Sequence, residues 1–237
     1  MGNMGSAIHK RLEKLSEFEL SGCDKGCDIN EEVKDQDILI IAVKPQSAGE
    51  LFQSIITNLS DKLIISIMAG VSVEKIVKLS GSKKIVRSMP NLGVQVGKGV
   101  VGWIATEEVG DKEKELVQKI FSSMGMEVEL KDENKIDEIT ALSGSGPAYF
   151  FYLVELLAQK AIRFGFDKDI AEKIAVATLA GSADLLVGGE KSAKEWREAV
   201  TSKGGTTEAV LNYLKDNKFG EIFSSAIDEA KKRSEEL

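Results

Sequence analysis

Two stretches of this 237-residue chain set small hydroxyl residues and glycines immediately ahead of helical patterns. In the second, Gly204 and Gly205 let the backbone approach a ligand, and the free N–H groups opening the next helix attract an anion. Ser202, Thr206 and Thr207 add hydroxyls within the same few residues. A loop of this kind can hold a carboxylate without an arginine. Helix capping by Ser202 or Thr206 would account for one hydroxyl, but not for the whole run. In the first stretch, Pro147 suits the first turn of a helix, where its missing N–H is no loss. Ser143, Gly144, Ser145 and Gly146 before it would shape a hinge.

The elements that must position these loops come in two kinds. Over 38–43 a continuous apolar run reads as a strand buried on both faces, with 63–67 and 84–86 as its neighbours. Between them, 47–59 and 72–79 have helical spacing, with Ser47 and Ser72 as N-caps. Strand–helix alternation at this pitch predicts a parallel sheet with right-handed crossovers. A strand over 100–105, a helix over 109–124 and a strand over 127–130 continue it. Beyond Lys131 the strand signals stop, and 147–164, 168–187, 192–200, 206–215 and 219–234 all read as helices. The segment 150–158 is apolar nearly all round, so it needs cover on every side. In a small helical domain a neighbouring chain would supply part of that cover.

Composition narrows the partners. With 43% hydrophobic and 29% charged residues the chain fits a globular protein, and its net charge of −7 argues against nucleic acid. No apolar run is long enough to span a bilayer, and the N-terminus lacks a signal pattern. Cys23 and Cys27 are spaced poorly for a metal or redox motif, so they are expected to be reduced bystanders and the protein cytoplasmic.

Both hydroxyl–glycine stretches resemble the signature region of pyrroline-5-carboxylate reductases, and they occur in the family's order. Ala42, Val43, Lys44 and Pro45 also match that family. So do Met68, Ala69 and Gly70, in a loop that would lie beside the nicotinamide, and the run from Arg87 to Asn91. The resemblance covers nearly the whole chain. It implies an α/β chain with a Rossmann-like, NAD(P)-binding parallel-sheet domain over 1–131 and an all-helical dimerisation and substrate domain over 132–237. It also implies reduction of 1-pyrroline-5-carboxylate to L-proline, the last step of proline biosynthesis, by a homodimer or larger homo-oligomer. The cofactor would contact Gly2, Asn3, Met4, Gly5, Ala42, Val43, Lys44, Pro45, Met68, Ala69, Gly70 and Asn91. Ser202 with the N–H groups of Gly204, Gly205 and Thr206 would hold the substrate carboxylate, and Thr207 would meet the ring nitrogen as the catalytic residue. Glu133 and Glu190 match acidic positions near the substrate.

Four features depart from the family pattern. Gly2 and Gly5 match the second and third glycines of the dinucleotide fingerprint, but the first glycine and the strand before it are absent. The residues between Gly5 and Ala42 leave little room for the usual second strand and helix; 17–23 could be that strand, and Val33 a remnant of the next turn. Asp24 would favour NAD and Lys25 the phosphate of NADP, leaving that choice open. Asn91-Leu92-Gly93 replaces the family's Asn-Thr-Pro and is expected to loosen a loop. Lys203 stands where a proline is usual, freeing φ and adding a positive charge. Two other readings stay open: a different NAD(P)-dependent oxidoreductase of the same plan, and an inactive relative acting as an oligomeric scaffold. A hydroxy-acid dehydrogenase would need a histidine or lysine acid on the helical half, where there is no histidine. The sole one, His9, lies on the first helix. Lacking the first strand, the chain is expected to fold and dimerise but to bind cofactor weakly.

Overall fold

Parallel strands dominate the first half. The computed structural model describes residues 2–24 and 26–237. Strands β1 (Ile38–Ile41), β2 (Leu63–Ser66), β3 (Ile85–Pro90), β4 (Gly99–Ala105) and β5 (Gly125–Glu129) form one sheet in that spatial order. β1, β2 and β3 run parallel, with Ile38 opposite Leu63 and Ile64 opposite Ile85. β4 is antiparallel to β3, pairing Val86 with Ala105, and β5 is parallel to β4. The reversal at β4 departs from an all-parallel expectation. Its cause is the short link from Pro90 to Gly99, a single 3₁₀ turn over Leu92–Val96, too short for a crossover helix.

Before the sheet come α1 (Asn3–Leu12) and α2 (Ile29–Lys34); α3 (Ala48–Ser54), α4 (Val73–Ser80) and α5 (Asp111–Ser122) cover it. Their apolar faces fill two cores. Ala7, Ile8 and Leu12 join Val86, Val101, Trp103 and Phe121 in one, and Phe52, Met68 and Ile76 join Leu39, Ile41 and Ile64 in the other. Ser72 caps α4, its hydroxyl accepting from Lys75 N at 3.3 Å, as expected, whereas the Ser47 side chain caps nothing. Pro45 instead opens a 3₁₀ turn over Pro45–Ser47 that leads into α3.

Three expectations for the first forty residues are corrected. Residues 17–23 form no strand; Phe18 and Leu20 pack against the first core without joining a ladder. A helix does occupy the supposedly cramped stretch, because Asp28 caps α2 by accepting from Asn30 N at 3.1 Å. Cys23 and Cys27 are bonded as a disulfide with Cα atoms 5.8 Å apart. A turn in which Cys27 N donates to Asp24 O at 3.1 Å brings them together, which spacing alone did not signal.

Beyond the sheet, α6 (Lys135–Ile139) runs through a π turn (Thr140–Gly144) into α7 (Gly146–Arg163), followed by α8 (Lys168–Val187), α9 (Ala193–Ala199), α10 (Thr206–Asp216) and α11 (Phe219–Glu235). The chain divides into two compact units, 1–147 with 229–237, and 148–228. The packing boundary thus lies beyond residue 131, because α6 and the π turn pack on β3 and β4. Among the described residues no helix is long and apolar enough to cross a membrane. In the second unit α7 and α8 leave apolar side chains uncovered in a single copy: Phe151 is 59% and Leu157 53% exposed.

Between strands, Lys84 Nζ and Glu113 Oε1 form a 2.8 Å ion pair that ties the start of β3 to α5. Burial would raise the Glu113 carboxyl. Hydrogen bonds from Lys84 and from Gly110 N, with the Lys84 charge, outweigh it and hold the group below its ordinary value.

Two measurements check this fold. Leu63 N bonds Asp37 O and Ile67 N bonds Ile41 O, so the odd-numbered residues of β1 face β2. Ile38, Ile40 and Ala42 face away, toward an edge that no described strand covers. Their amides should exchange with solvent faster than those of Leu39 and Ile41 in native-state hydrogen exchange. The exposed faces of α7 and α8 predict a mass of at least two chains by light scattering at micromolar concentration, moving toward one chain in Phe151→Glu.

Candidate active site

The dinucleotide-binding candidates fall on two features of the first unit. Gly2 is the N-cap of α1, with φ −69° and ψ 172°, and Asn3, Met4 and Gly5 form its first turn. Gly2 offers no side chain as a cap and no acidic residue sits in the first turn, so the helix brings no carboxylate of its own to its positive end. α1 is held by Arg11 Nε, which donates to Val94 O at 2.9 Å, and by Ala7, Ile8 and Leu12 in the core. His9 lies on the same helix 3.5 Å from Glu13 Oε1.

The second feature is the carboxyl edge of the sheet. Because β1, β2 and β3 are adjacent and parallel, the segments after them emerge side by side. These are Ala42, Val43, Lys44 and Pro45 after β1; Met68, Ala69 and Gly70 after β2; and Asn91 after β3. Crevices at this edge are where open α/β sheets bind ligands. Met68 is buried in the core, so its backbone alone is available there. Gly70 has φ +70°, and any side chain at this position would collide with Leu237. The Asn91 amide is fully occupied. Its oxygen accepts from Gly93 N at 3.0 Å and Val100 N at 3.1 Å, and its nitrogen donates to the Ser143 carbonyl at 3.2 Å and hydroxyl at 3.0 Å. The departure at Leu92-Gly93 leaves this loop tight, not loose: a Cβ on Gly93 would lie 2.6 Å from Lys98 O.

A charged cluster that the sequence did not reveal joins β3 to the segment that follows the β2 loop. Arg87 on β3 is only 6% exposed, and its Nη1 donates to Glu133 Oε1 at 2.6 Å. The same oxygen accepts from Val73 N at 2.8 Å, at the start of α4 just beyond Gly70. Asp137 lies 4.0 Å from Arg87 Nη2 and accepts from the buried Ser234 hydroxyl at 2.6 Å. Glu133, matched by resemblance to a substrate position, thus joins β3 to the start of α4 inside the first unit. A cavity of about 260 Å³ beside it is lined by Gly70, Ser72, Arg87, Glu133, Asp137 and Ser234. Lys231 nearby is held above its ordinary value by a hydrogen bond to Glu235 and by that group's charge, with weaker help from Glu138 and Asp137.

The remaining candidates lie in the second unit. Gly204 adopts φ +74°, and Gly205, the N-cap of α10, has no side chain to offer the first turn. Thr206 and Thr207 open that helix. Ser202 O accepts from Gly205 N at 3.0 Å, and a Cβ on Gly205 would crowd the Ser202 hydroxyl and force it aside. Glu190 is exposed just after Gly189, which turns the chain at φ +71°. Lys25 lies outside the described residues.

Comparison with known proteins decides what kind of chain this is. Residues 133–237 match the family model described as pyrroline-5-carboxylate reductase dimerisation, and residues 12–70 match NADP oxidoreductase coenzyme F420-dependent. Pyrroline-5-carboxylate reductase 2 of Bacillus subtilis is 34% identical over 95% of this chain and 81% of its own length. The Aquifex aeolicus reductase is 34% identical over 100% of this chain and 94% of its own. The chain belongs to the pyrroline-5-carboxylate reductase family. A crystal structure of Plasmodium falciparum pyrroline carboxylate reductase with NADP bound superposes with a TM-score of 0.87 at 29% identity, covering 99% of this chain and 94% of that one. An archaeal ketol-acid reductoisomerase, 14% identical with a TM-score of 0.65 over 98% of this chain and 79% of its own, shares the fold alone.

Membership in this reductase family agrees with the fold and with a segment that mediates dimerisation in relatives. The sequence missed the Arg87–Glu133 pair because its members stand 46 residues apart. An arginine inside an apolar strand was the available signal, since arginine is rarely buried without a partner. The four hydrogen bonds of Asn91 make it a fastener of its loop. Asn91→Ala should lower stability by about 2–3 kcal/mol, read as a lower urea midpoint with an unchanged slope.

Proposed function

We propose that this chain reduces 1-pyrroline-5-carboxylate to L-proline with NAD(P)H, working in the cytoplasm as a homo-oligomer. The observation that carries the cofactor assignment is the shared carboxyl edge of β1, β2 and β3, with an uncapped helix N-terminus in the same unit. Gly2, Asn3, Met4 and Gly5 would place backbone N–H groups toward the pyrophosphate. The segments Ala42–Pro45 and Met68–Gly70, with the loop fastened by Asn91, would border the rest of the dinucleotide. The bound nicotinamide supplies the hydride, so no protein nucleophile is needed.

What the protein's own residues do is anchor and polarise. Ser202 and the N–H groups of Gly204, Gly205 and Thr206 would fix the substrate carboxylate and stop the ring from tumbling. Thr207, half-buried at the start of α10, would set its hydroxyl by the ring nitrogen as charge develops there. Glu190 would add an acid near the substrate. Glu133 acts through Arg87 and Val73, holding the start of α4, after the β2 loop, against β3. A hydroxy-acid dehydrogenase is less well supported, because the sole histidine stands on α1 beside Glu13. An inert scaffold would leave NADPH fluorescence unchanged on mixing.

Thr207→Ala should cut kcat/KM for the cyclic imine by about five- to hundredfold, the equivalent of about 1–3 kcal/mol of transition-state stabilisation. Its thermal midpoint should stay within a few degrees of the parent. Unchanged kinetics would remove Thr207 from the mechanism.

A further inference from the structure

Helices α5, α9 and α10 each carry a glutamate at the third position of the first turn, and they use it differently. In α5, Glu113 accepts from the N-cap N–H of Gly110 at 3.0 Å, and in α9 Glu195 accepts from that of Ser192 at 2.7 Å. In α9 the bond is returned, the Ser192 hydroxyl accepting from Glu195 N at 3.3 Å, whereas Gly110 has no side chain to return one. In α10 the N-cap N–H, that of Gly205, is already bonded to Ser202 O. Glu208 reaches one residue further back and accepts from Gly204 N at 2.6 Å. That distance is at the short end for an N–H donating to a carboxylate, as expected of a charge-assisted bond. The left-handed φ of Gly204 is what turns this N–H toward the helix.

We propose that Glu208 stands in for the substrate's carboxylate: in the free protein it occupies the Gly204 N–H that the cyclic imino acid must take over, and so sets the affinity for that substrate. The proposal rests on the reading of residues 202–207 as the carboxylate-binding loop. One N–H cannot serve two carboxylates at full strength, and two like charges within a few ångströms repel. Binding therefore requires Glu208 to swing away, which its half-buried place at the loop's edge allows. The arrangement keeps the loop ordered before substrate arrives, at the cost of a weaker apparent affinity, because only the fraction of molecules with Glu208 displaced can bind. A ligand without a carboxylate meets no such competition.

The test uses the full chain with NADPH, 1-pyrroline-5-carboxylate as substrate, and L-proline and L-prolinamide as competing ligands. In Glu208→Ala the KM for the imine and the inhibition constant of L-proline should both fall about three- to tenfold. Glu208→Gln should fall between Ala and the parent, since an amide oxygen competes without charge. The constants for L-prolinamide and the KM for NADPH should not move, a pattern that loosening of α10 would not produce. KM for the imine unchanged or raised in both variants would overturn the proposal. Ser202→Ala and Thr207→Ala separate the two levels. If they raise KM while the Glu208 variants do not lower it, the loop reading stands and the role of Glu208 falls. If neither set moves KM, the loop reading itself fails. Should turnover be too slow to follow, calorimetric binding of L-proline to each variant gives the same comparison, and melting curves identify a variant that does not fold.

Discussion

The parallel run of β1, β2 and β3 is the constraint on which the first unit depends. Parallel neighbours aim their carboxyl ends the same way, so three loops separated along the chain leave the sheet side by side. Parallel strands must also be covered on both faces, and the two cores meet that demand with α1 and α5 on one side and α3 and α4 on the other. The Arg87–Glu133 pair then locks the edge. A buried arginine needs a counter-charge, and the one supplied also accepts a backbone N–H from the start of α4. The segment after β2 is thereby fixed against β3.

The second unit obeys a different demand. Its long helices carry more apolar surface than a unit of this size can bury by itself, and the single chain leaves Phe150, Phe151 and Leu157 in water. Membership in a family whose matching segment is a dimerisation region accounts for that surface. Surface that would be a liability in a monomer is the binding energy of an assembly.

Local order at the candidate loops comes from short-range chemistry. Glycine at 204 and 205 permits a turn that a Cβ would block or strain, and the N–H groups of that turn find acceptors in Ser202 and Glu208. At Asn91 a single amide joins three backbone segments and so fastens the loop that follows β3. Both cases show satisfied polar groups, not bulk packing, setting the shape of irregular backbone.

Local pattern was enough for much of this protein. Apolar runs and helical spacing marked every strand of the sheet and every long helix after it to within a few residues, because burial imposes a period on the residues it covers. Hydroxyl and glycine clustering marked both loops and, through them, the family. Long-range pairing was beyond it. The reversal of β4, the absence of a ladder at 17–23, the fastening of Asn91 to Ser143 and the Arg87–Glu133 pair each depend on which segments meet in space. Sequence separation does not encode that meeting. The helix under 29–34 was missed for the opposite reason: it is short, and a single cap by Asp28 holds it with little periodicity to read. What a residue can do chemically is written in its type, but which partner occupies it is decided only when the chain has folded.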